Sequence, residues 1–180
     1  MRRLFALVVM LAATAVACGS GGEAQLTKGT PGSTAAPKEN VGTRPPGAVA
    51  DINKAACDVL TPDDVAATLG NRVRPGQGTG KFCQWGTAVD KGTSANLTVN
   101  RADQCNPIRN SLPKEAKTES VGGVGNSAVW NWQEVSILLQ GNFVVCWPDA
   151  VIWIAVSGEK DQAALREEAS TLAQKAHNKL

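Results

Sequence analysis

Residues 143–156, FVVCWPDAVIWIAV, decide the fold of this chain, because they hold two apolar runs on either side of Pro148-Asp149. Proline and aspartate are typical of turns, so this pair predicts a connection between two strands. The second run, VIWIAV (151–156), is apolar at every position, which is typical of a central strand covered on both faces. The sequence therefore predicts a β-sheet with residues 151–156 near its middle.

Segments upstream of this pair add strands to the predicted sheet. ANLTVN (95–100) alternates between apolar and polar residues, as a half-exposed strand does. AVWNWQ (128–133) and VSILLQ (135–140) have the composition of further strands, and Gln140-Gly141-Asn142 predicts a turn before the run that begins at Phe143. We expect an antiparallel sheet of five or six strands.

The segment LTPDDVAATLG (60–70) predicts a helix near the start of the domain. Thr61 can act as its N-cap, Pro62 suits its first turn and Gly70 marks its end. Two aspartates follow the proline at the positive end of the helix dipole. The expected buried stripe consists of Val65, Ala66 and Leu69.

A second helix is predicted from about Asp161 to the C-terminus, where apolar residues recur every three or four positions. The stripe consists of Leu165, Ala169, Leu172, Ala176 and Leu180, with Arg166, Glu167, Gln174 and Lys175 largely off it. His177, near the end of this helix, is expected at the surface. The whole pattern predicts an α+β domain in which N-terminal and C-terminal helices pack on the sheet.

The N-terminus, MRRLFALVVMLAATAVAC (1–18), has the charged, apolar and small-residue order of an export signal. Residues 15–18, AVAC, resemble the bacterial lipobox, in which the cysteine thiol is acylated and the chain is cut before it. We expect residues 1–17 to be a lipoprotein signal peptide and Cys18 to be the lipidation site. An ordinary secretory signal with a chance cysteine is the alternative, and Arg2-Arg3 keeps twin-arginine export as an alternative to general secretion.

Residues 18–49 are rich in Gly, Ser, Thr, Pro and Ala, so we expect a flexible linker that carries the lipid anchor at its start. Residues 50–180 are then a single α+β domain of ordinary size. Removal of residues 1–17 would leave 16 Lys and Arg against 16 Asp and Glu. This neutral balance argues against a nucleic-acid partner.

The four remaining cysteines, Cys57, Cys83, Cys105 and Cys146, predict two disulfides in an exported domain. Three pairings are possible, and we favour Cys57 with Cys83 and Cys105 with Cys146. The first pair would join the first helix to the first strand, and the second would hold a loop on the sheet. Because no two cysteines are close in sequence and histidine occurs once, we expect no metal site and no cofactor.

Three motifs suggest catalysis or nucleotide binding, but their contexts are wrong. GVGNSA (123–128) fits a dinucleotide fingerprint, yet it leads into a predicted strand and not into a helix. SLPK (111–114) and SGEK (157–160) fit the S-x-x-K pattern of penicillin-recognising enzymes, but no K-T-G follows them. We therefore predict no catalytic residue and no enzyme activity.

Trp130 and Trp132 are the candidate ligand-binding residues, because they share one face of a predicted strand and the chain has five Trp and no Tyr. Such a pair can stack a sugar, a peptide or a lipid. The alternative, which we favour, is that both rings pack in the core.

Two short motifs carry a family resemblance. CDVLTP (57–62) and FCQW (82–85), followed by VGGVGNSAVW (121–130), an apolar hairpin and a C-terminal helix, resemble an actinobacterial family of cell-envelope lipoproteins with domain of unknown function 3558. The resemblance implies an envelope location and a fold, and it supplies no catalytic residue. In architecture alone the chain is also similar to two-disulfide extracellular sensor domains of mycobacterial kinases.

These observations predict a lipoprotein that is anchored in the cell membrane through Cys18 and faces the extracytoplasmic side. Its domain is expected to bind an envelope glycan, a small molecule or a protein without catalysis. A sensory or accessory subunit of a membrane complex is the first alternative. An envelope hydrolase with an unrecognised Ser or Asp/Glu site is the second.

Overall fold

Residues 45, 47–87 and 93–180 are described by this computed structural model. The predicted signal peptide (1–17), Cys18 and nearly all of the predicted linker lie outside the described residues. The helices are α1 (Ala56–Val59), α2 (Pro62–Leu69), α3 (Cys105–Ser111) and α4 (Gln162–Lys179). The strands are β1 (Phe82–Gly86), β2 (Ser94–Asn100), β3 (Lys117–Val121), β4 (Ser127–Val135), β5 (Leu138–Cys146) and β6 (Val151–Gly158).

The six strands form one antiparallel sheet in the order β1-β2-β6-β5-β4-β3. Residues of α1, α2 and α4 share a hydrophobic core with one face of this sheet, which we call the inner face. The predicted α+β fold is therefore confirmed, with six strands and with helices from both ends of the domain on the sheet. In the described part of the chain, no helix is both long and apolar enough to cross a membrane.

The apolar run of residues 151–156 lies inside the sheet, because β6 pairs with β2 on one side and β5 on the other. Its inner-face residues Ile152, Ile154 and Val156 are buried. On the opposite face, which we call the outer face, cover is incomplete, since Trp153 and Ala155 are only partly buried. The prediction of a central strand is confirmed, with complete cover on the inner face and partial cover on the outer face.

The turn predicted at residues 140–142 is wrong, because these residues lie in the middle of β5. The β4–β5 turn is formed instead by Ser136 and Ile137, and Ser136 has a φ of 58°. Gly141 serves close packing: a Cβ atom built on it would lie 1.8 Å from Cη2 of Trp130. The turn itself is exposed, and Ile137 has 78% of its surface accessible.

Helix α2 begins and ends as its sequence predicts. Thr61 Oγ1 accepts a hydrogen bond from the Asp64 N–H at 3.2 Å, Asp64 Oδ2 accepts one from the Thr61 N–H at 2.8 Å, and Gly70 ends the helix at a φ of 71°. Lys179 of α4 also donates to Asp64 Oδ2, at 2.5 Å. Burial raises the pKa of Asp64, but the hydrogen bonds from Lys179 and Thr61 outweigh it, so the pKa lies below its usual value. The ionised carboxylate joins the two helices.

Helix α4 follows the predicted stripe, with Leu165, Ala169, Leu172 and Ala176 buried. The surface position predicted for His177 is wrong, because its side chain is only 15% exposed. Its ring stacks on Trp147 at 4.2 Å between centroids, and its Nε2 lies 3.0 Å from Asp149 Oδ1. The turn between β5 and β6 therefore folds over the end of α4, a contact that helical periodicity does not reveal.

The chain enters the domain at this same end. The Ala50 N–H donates to Asp149 Oδ2 at 3.1 Å, and the Asp51 N–H donates to the Leu180 carbonyl at 2.7 Å. The first described segment is thus fixed between the β5–β6 turn and the last residue of the chain.

Both predicted disulfides are present. Cys57 of α1 is bonded to Cys83 of β1, and Cys105 of α3 to Cys146 of β5. The first bond joins α1 to the inner face. The second holds α3 on the outer face, where the candidate site lies.

Candidate functional site

The outer face of the sheet is mainly polar along one row that crosses all six strands. Strand register places the following residues side by side: Gln84, Asn96, Ala155, Asn142, Asn131 and Thr118. Each carboxamide offers both donors and an acceptor. The row, which we call the amide row, therefore presents hydrogen-bonding side chains on both sides of Ala155.

The segment of α3 covers one part of this face. Ile108 and Leu112 pack against the outer-face residues Val129, Val144 and Val151, next to the Cys105–Cys146 disulfide. Because α3 is held by both a covalent bond and apolar contacts, it forms a fixed wall over β5 and its neighbours β4 and β6.

A cavity of about 520 Å³, which we call the α3 cavity, lies between this wall and the outer face. Its polar lining includes Asn106, Arg109, Asn110, Lys114, Thr118 and Asn131, and no acidic residue lines it. Among the described residues, neither Arg109 nor Lys114 forms an ion pair. The two charged residues in the described lining of the cavity are therefore both cations without an ion-pair partner among the described residues.

Asn131 holds the chain just after α3 to the sheet. Its side chain is 1% exposed, and its Nδ2 donates to the Pro113 carbonyl at 3.0 Å and to Thr118 Oγ1 at 2.8 Å. Its Oδ1 atom is buried and has no hydrogen-bond partner within the described part of the chain. A buried acceptor without a partner is unfavourable, so this atom favours a donor from outside the protein.

A second cavity of about 210 Å³ lies over β2, β5 and β6 and is lined by Ser94, Asn96, Gln140, Asn142, Ala155 and Ser157, among others. Trp153 Nε1 donates to Asn142 Oδ1 at 3.1 Å, and the Asn96 Oδ1 atom is buried without a partner among the residues described. Asn142 lies opposite Asn131 of the α3 cavity in the strand register. Both cavities therefore open on the same face, one strand apart.

Trp130 and Trp132, the candidate ligand-binding residues, do not form an exposed aromatic platform. Trp130 lies on the inner face and is completely buried, so its ring is not available to a ligand. Trp132 is partly buried and stacks on Trp130, with 6.4 Å between ring centroids. The glycine at position 141 gives the Trp130 ring its place in the core, where it also contacts Phe143.

The catalytic-looking motifs lie in ordinary structural contexts. Residues 123–128 form the end of the β3–β4 loop and the start of β4, as expected for a glycine turn that enters a strand. The Ser111 hydroxyl donates to the Ile108 carbonyl at 2.7 Å, and Ser157 Oγ lies 2.9 Å from Ser94 Oγ. In the described ranges, no group of three or more His, Cys, Asp or Glu is placed to hold a metal ion.

Sequence reasoning did not identify the outer-face site, although a signal exists. Asn131 and Asn142 each stand next to apolar residues in their strands, and Asn96 is one of the polar positions of the alternating strand β2. Only the strand order brings these residues into one row. The contribution of α3 has no signal apart from the pairing of Cys105 with Cys146.

Comparisons of the chain with protein-family models, with curated proteins and with solved structures found no match. The resemblance to the envelope lipoprotein family therefore remains a prediction.

Proposed function

We propose that this protein is an extracytoplasmic lipoprotein, anchored in the cell membrane through Cys18, whose domain binds a polar ligand on the outer face of its sheet without catalysis. The observation that carries the proposal is the amide row, in which the Oδ1 atoms of Asn96 and Asn131 are buried acceptors without a partner among the described residues. Binding surfaces that recognise hydroxyl-rich ligands need such paired donors and acceptors.

The lining of the two outer-face cavities supports binding over catalysis. Amides, hydroxyls and two cations line these cavities, and no Asp, Glu, His or Cys is among the described lining residues. A hydrolase needs a general base or an activated nucleophile beside its substrate. An envelope hydrolase is for this reason the weaker alternative.

The proposed location is supported by two features. Disulfides such as Cys57–Cys83 and Cys105–Cys146 are typical of proteins in oxidising compartments outside the cytoplasm. The export-type sequence that ends at Cys18 supplies the route and the lipidation site.

Changing Cys18 to Ser tests the anchor. We expect the variant to be released from the membrane fraction or to keep its signal peptide, because serine has no thiol for acylation. Fractionation, with intact mass measured on the membrane-bound protein, checks this result. A variant that stays in the membrane with its normal mass contradicts lipidation at Cys18.

The variant Ala155→Arg tests the outer face. Ala155 lies between Asn96 and Asn142 in the row, so an arginine there should cover the surface and weaken binding of soluble envelope glycan fragments by about 10-fold or more, equivalent to about 1.4 kcal/mol. Ala67→Arg, on an exposed position of α2, is the matched control. Native mass spectrometry measures glycan binding by both variants, and thermal melting checks that both are folded. Equal binding by the two variants contradicts the proposal that the ligand binds on the outer face.

A further inference from the structure

We propose that the α3 cavity selects acidic sugars, such as uronates and sugar phosphates, by binding their anionic group at Arg109 and Lys114. This inference deepens the proposed function and rests on the outer face being the binding surface. It gives the chemical class of the ligand and the residues that bind its anionic group.

The charged residues of the α3 cavity favour a ligand with an anionic group. Arg109 and Lys114 are the charged residues in its described lining, and neither forms an ion pair within the described ranges. The Arg109 side chain is partly buried, which reduces the screening of its charge by water and salt. A guanidinium in this position can bind a carboxylate or phosphate through two parallel hydrogen bonds.

The floor of the cavity, formed by Asn131 and Thr118, favours a ligand that also has hydroxyl groups. Asn131 Oδ1 is a buried acceptor, so it matches a hydroxyl group and repels an anion. Thr118 Oγ1 already accepts from Asn131 Nδ2 at 2.8 Å, so its own hydroxyl hydrogen is left to donate to a ligand oxygen. An inorganic anion would use the cations alone. A ligand with both an anionic group and hydroxyls uses the cations and the floor together.

The size of the cavity agrees with this class. At about 520 Å³ it falls in the range of about 300–1,000 Å³ that is usual for small-molecule sites. Asn142, which lies opposite Asn131 in the strand register, lines the second cavity, so further neutral sugar units of a chain can continue over β5, β6 and β2.

The test is an NMR titration of residues 18–180, the chain without its predicted signal peptide, with D-glucuronate, D-glucose 6-phosphate, D-glucose and inorganic phosphate. We expect both acidic sugars to shift the side-chain signals of Arg109 and Asn131 and to bind at least 10-fold more tightly than glucose or phosphate. A higher salt concentration should weaken the binding of the two acidic sugars and leave the binding of glucose unchanged.

Arg109→Gln should weaken binding of both acidic sugars by about 10- to 100-fold, the cost of one charge-assisted contact. Arg101→Gln is the matched control, because Arg101 is exposed and pairs with Asp103 at 3.3 Å outside the cavity. Lys114→Gln, a change at an exposed position, gives a second reading if Arg109→Gln lowers the melting temperature.

Three results overturn the inference: no shift at Arg109 or Asn131 with either acidic sugar, an unchanged affinity in Arg109→Gln, or phosphate alone binding as tightly as glucose 6-phosphate. If one of these results is seen while glucose binds to the unchanged chain and not to Ala155→Arg, the proposed outer-face function stands and the acidic-sugar assignment alone fails. If the sugars shift only inner-face or helix residues, both fail.

Discussion

Replacing Gly141 by alanine is expected to lower the free energy of unfolding by about 3 kcal/mol. The new Cβ atom would lie 1.8 Å from Cη2 and 2.3 Å from Cζ2 of Trp130, far inside van der Waals contact. The Trp130 ring is completely buried between Trp132 and Phe143, so it cannot move aside without disturbing the core. Urea unfolding followed by tryptophan fluorescence measures the change.

Gly86→Ala is the matched control, since Gly86 is also in a strand and a Cβ atom there meets nothing within 4 Å. Its effect should stay within about 0.5 kcal/mol. A double-mutant cycle with Trp130→Phe sharpens the test, because a smaller ring should reduce the cost of alanine at position 141. The same cost in both backgrounds would show that contact with Trp130 is not the cause.

Removing either disulfide is expected to have the other large effect. In the chain-entropy account, the Cys57–Cys83 bond with a separation of 26 contributes about 3.5 kcal/mol, and the Cys105–Cys146 bond with a separation of 41 contributes about 4 kcal/mol. Domains of this kind have a total stability of about 5–15 kcal/mol, so either loss is a large share of it. Urea unfolding of the two double-alanine variants measures both values.

The two variants should differ in where the structure changes. Loss of Cys105–Cys146 removes the covalent hold on α3, so amide exchange should rise in α3 and the hydrogen bond from Asn131 to the Pro113 carbonyl should weaken. Loss of Cys57–Cys83 should leave α3 protected. Equal protection of α3 in both variants would mean that apolar packing alone holds the wall of the cavity.

Local signals predicted the parts of the fold that depend on neighbouring residues. Thr61 and Gly70 give the ends of α2, because a cap depends on residues within one turn. The alternation of residues 95–100 gives the faces of β2, because side chains of a strand alternate whatever its neighbours are.

The sequence predictions were wrong at positions whose environment is set by residues that are distant in sequence. Gly141 resembles a turn residue until the Trp130 ring is placed on it from the neighbouring strand. Lys175 lies off the predicted stripe of α4 yet is only 7% exposed, and His177 is covered by Trp147 from the β5–β6 turn. The amide row has the same origin, since strand order is not encoded in any local period.

The chain enters the domain at one end of β5, and the β4–β5 turn lies at the opposite end of the same strand. The segment that begins at Ala50 joins beside Asp149, at one end of β5, while the turn formed by Ser136 and Ile137 lies at the other. Nine strand residues separate them, a length of about 30 Å. If the domain is held through Cys18 as proposed, the exposed Ile137 lies about the length of β5 away from the point where the chain enters the domain.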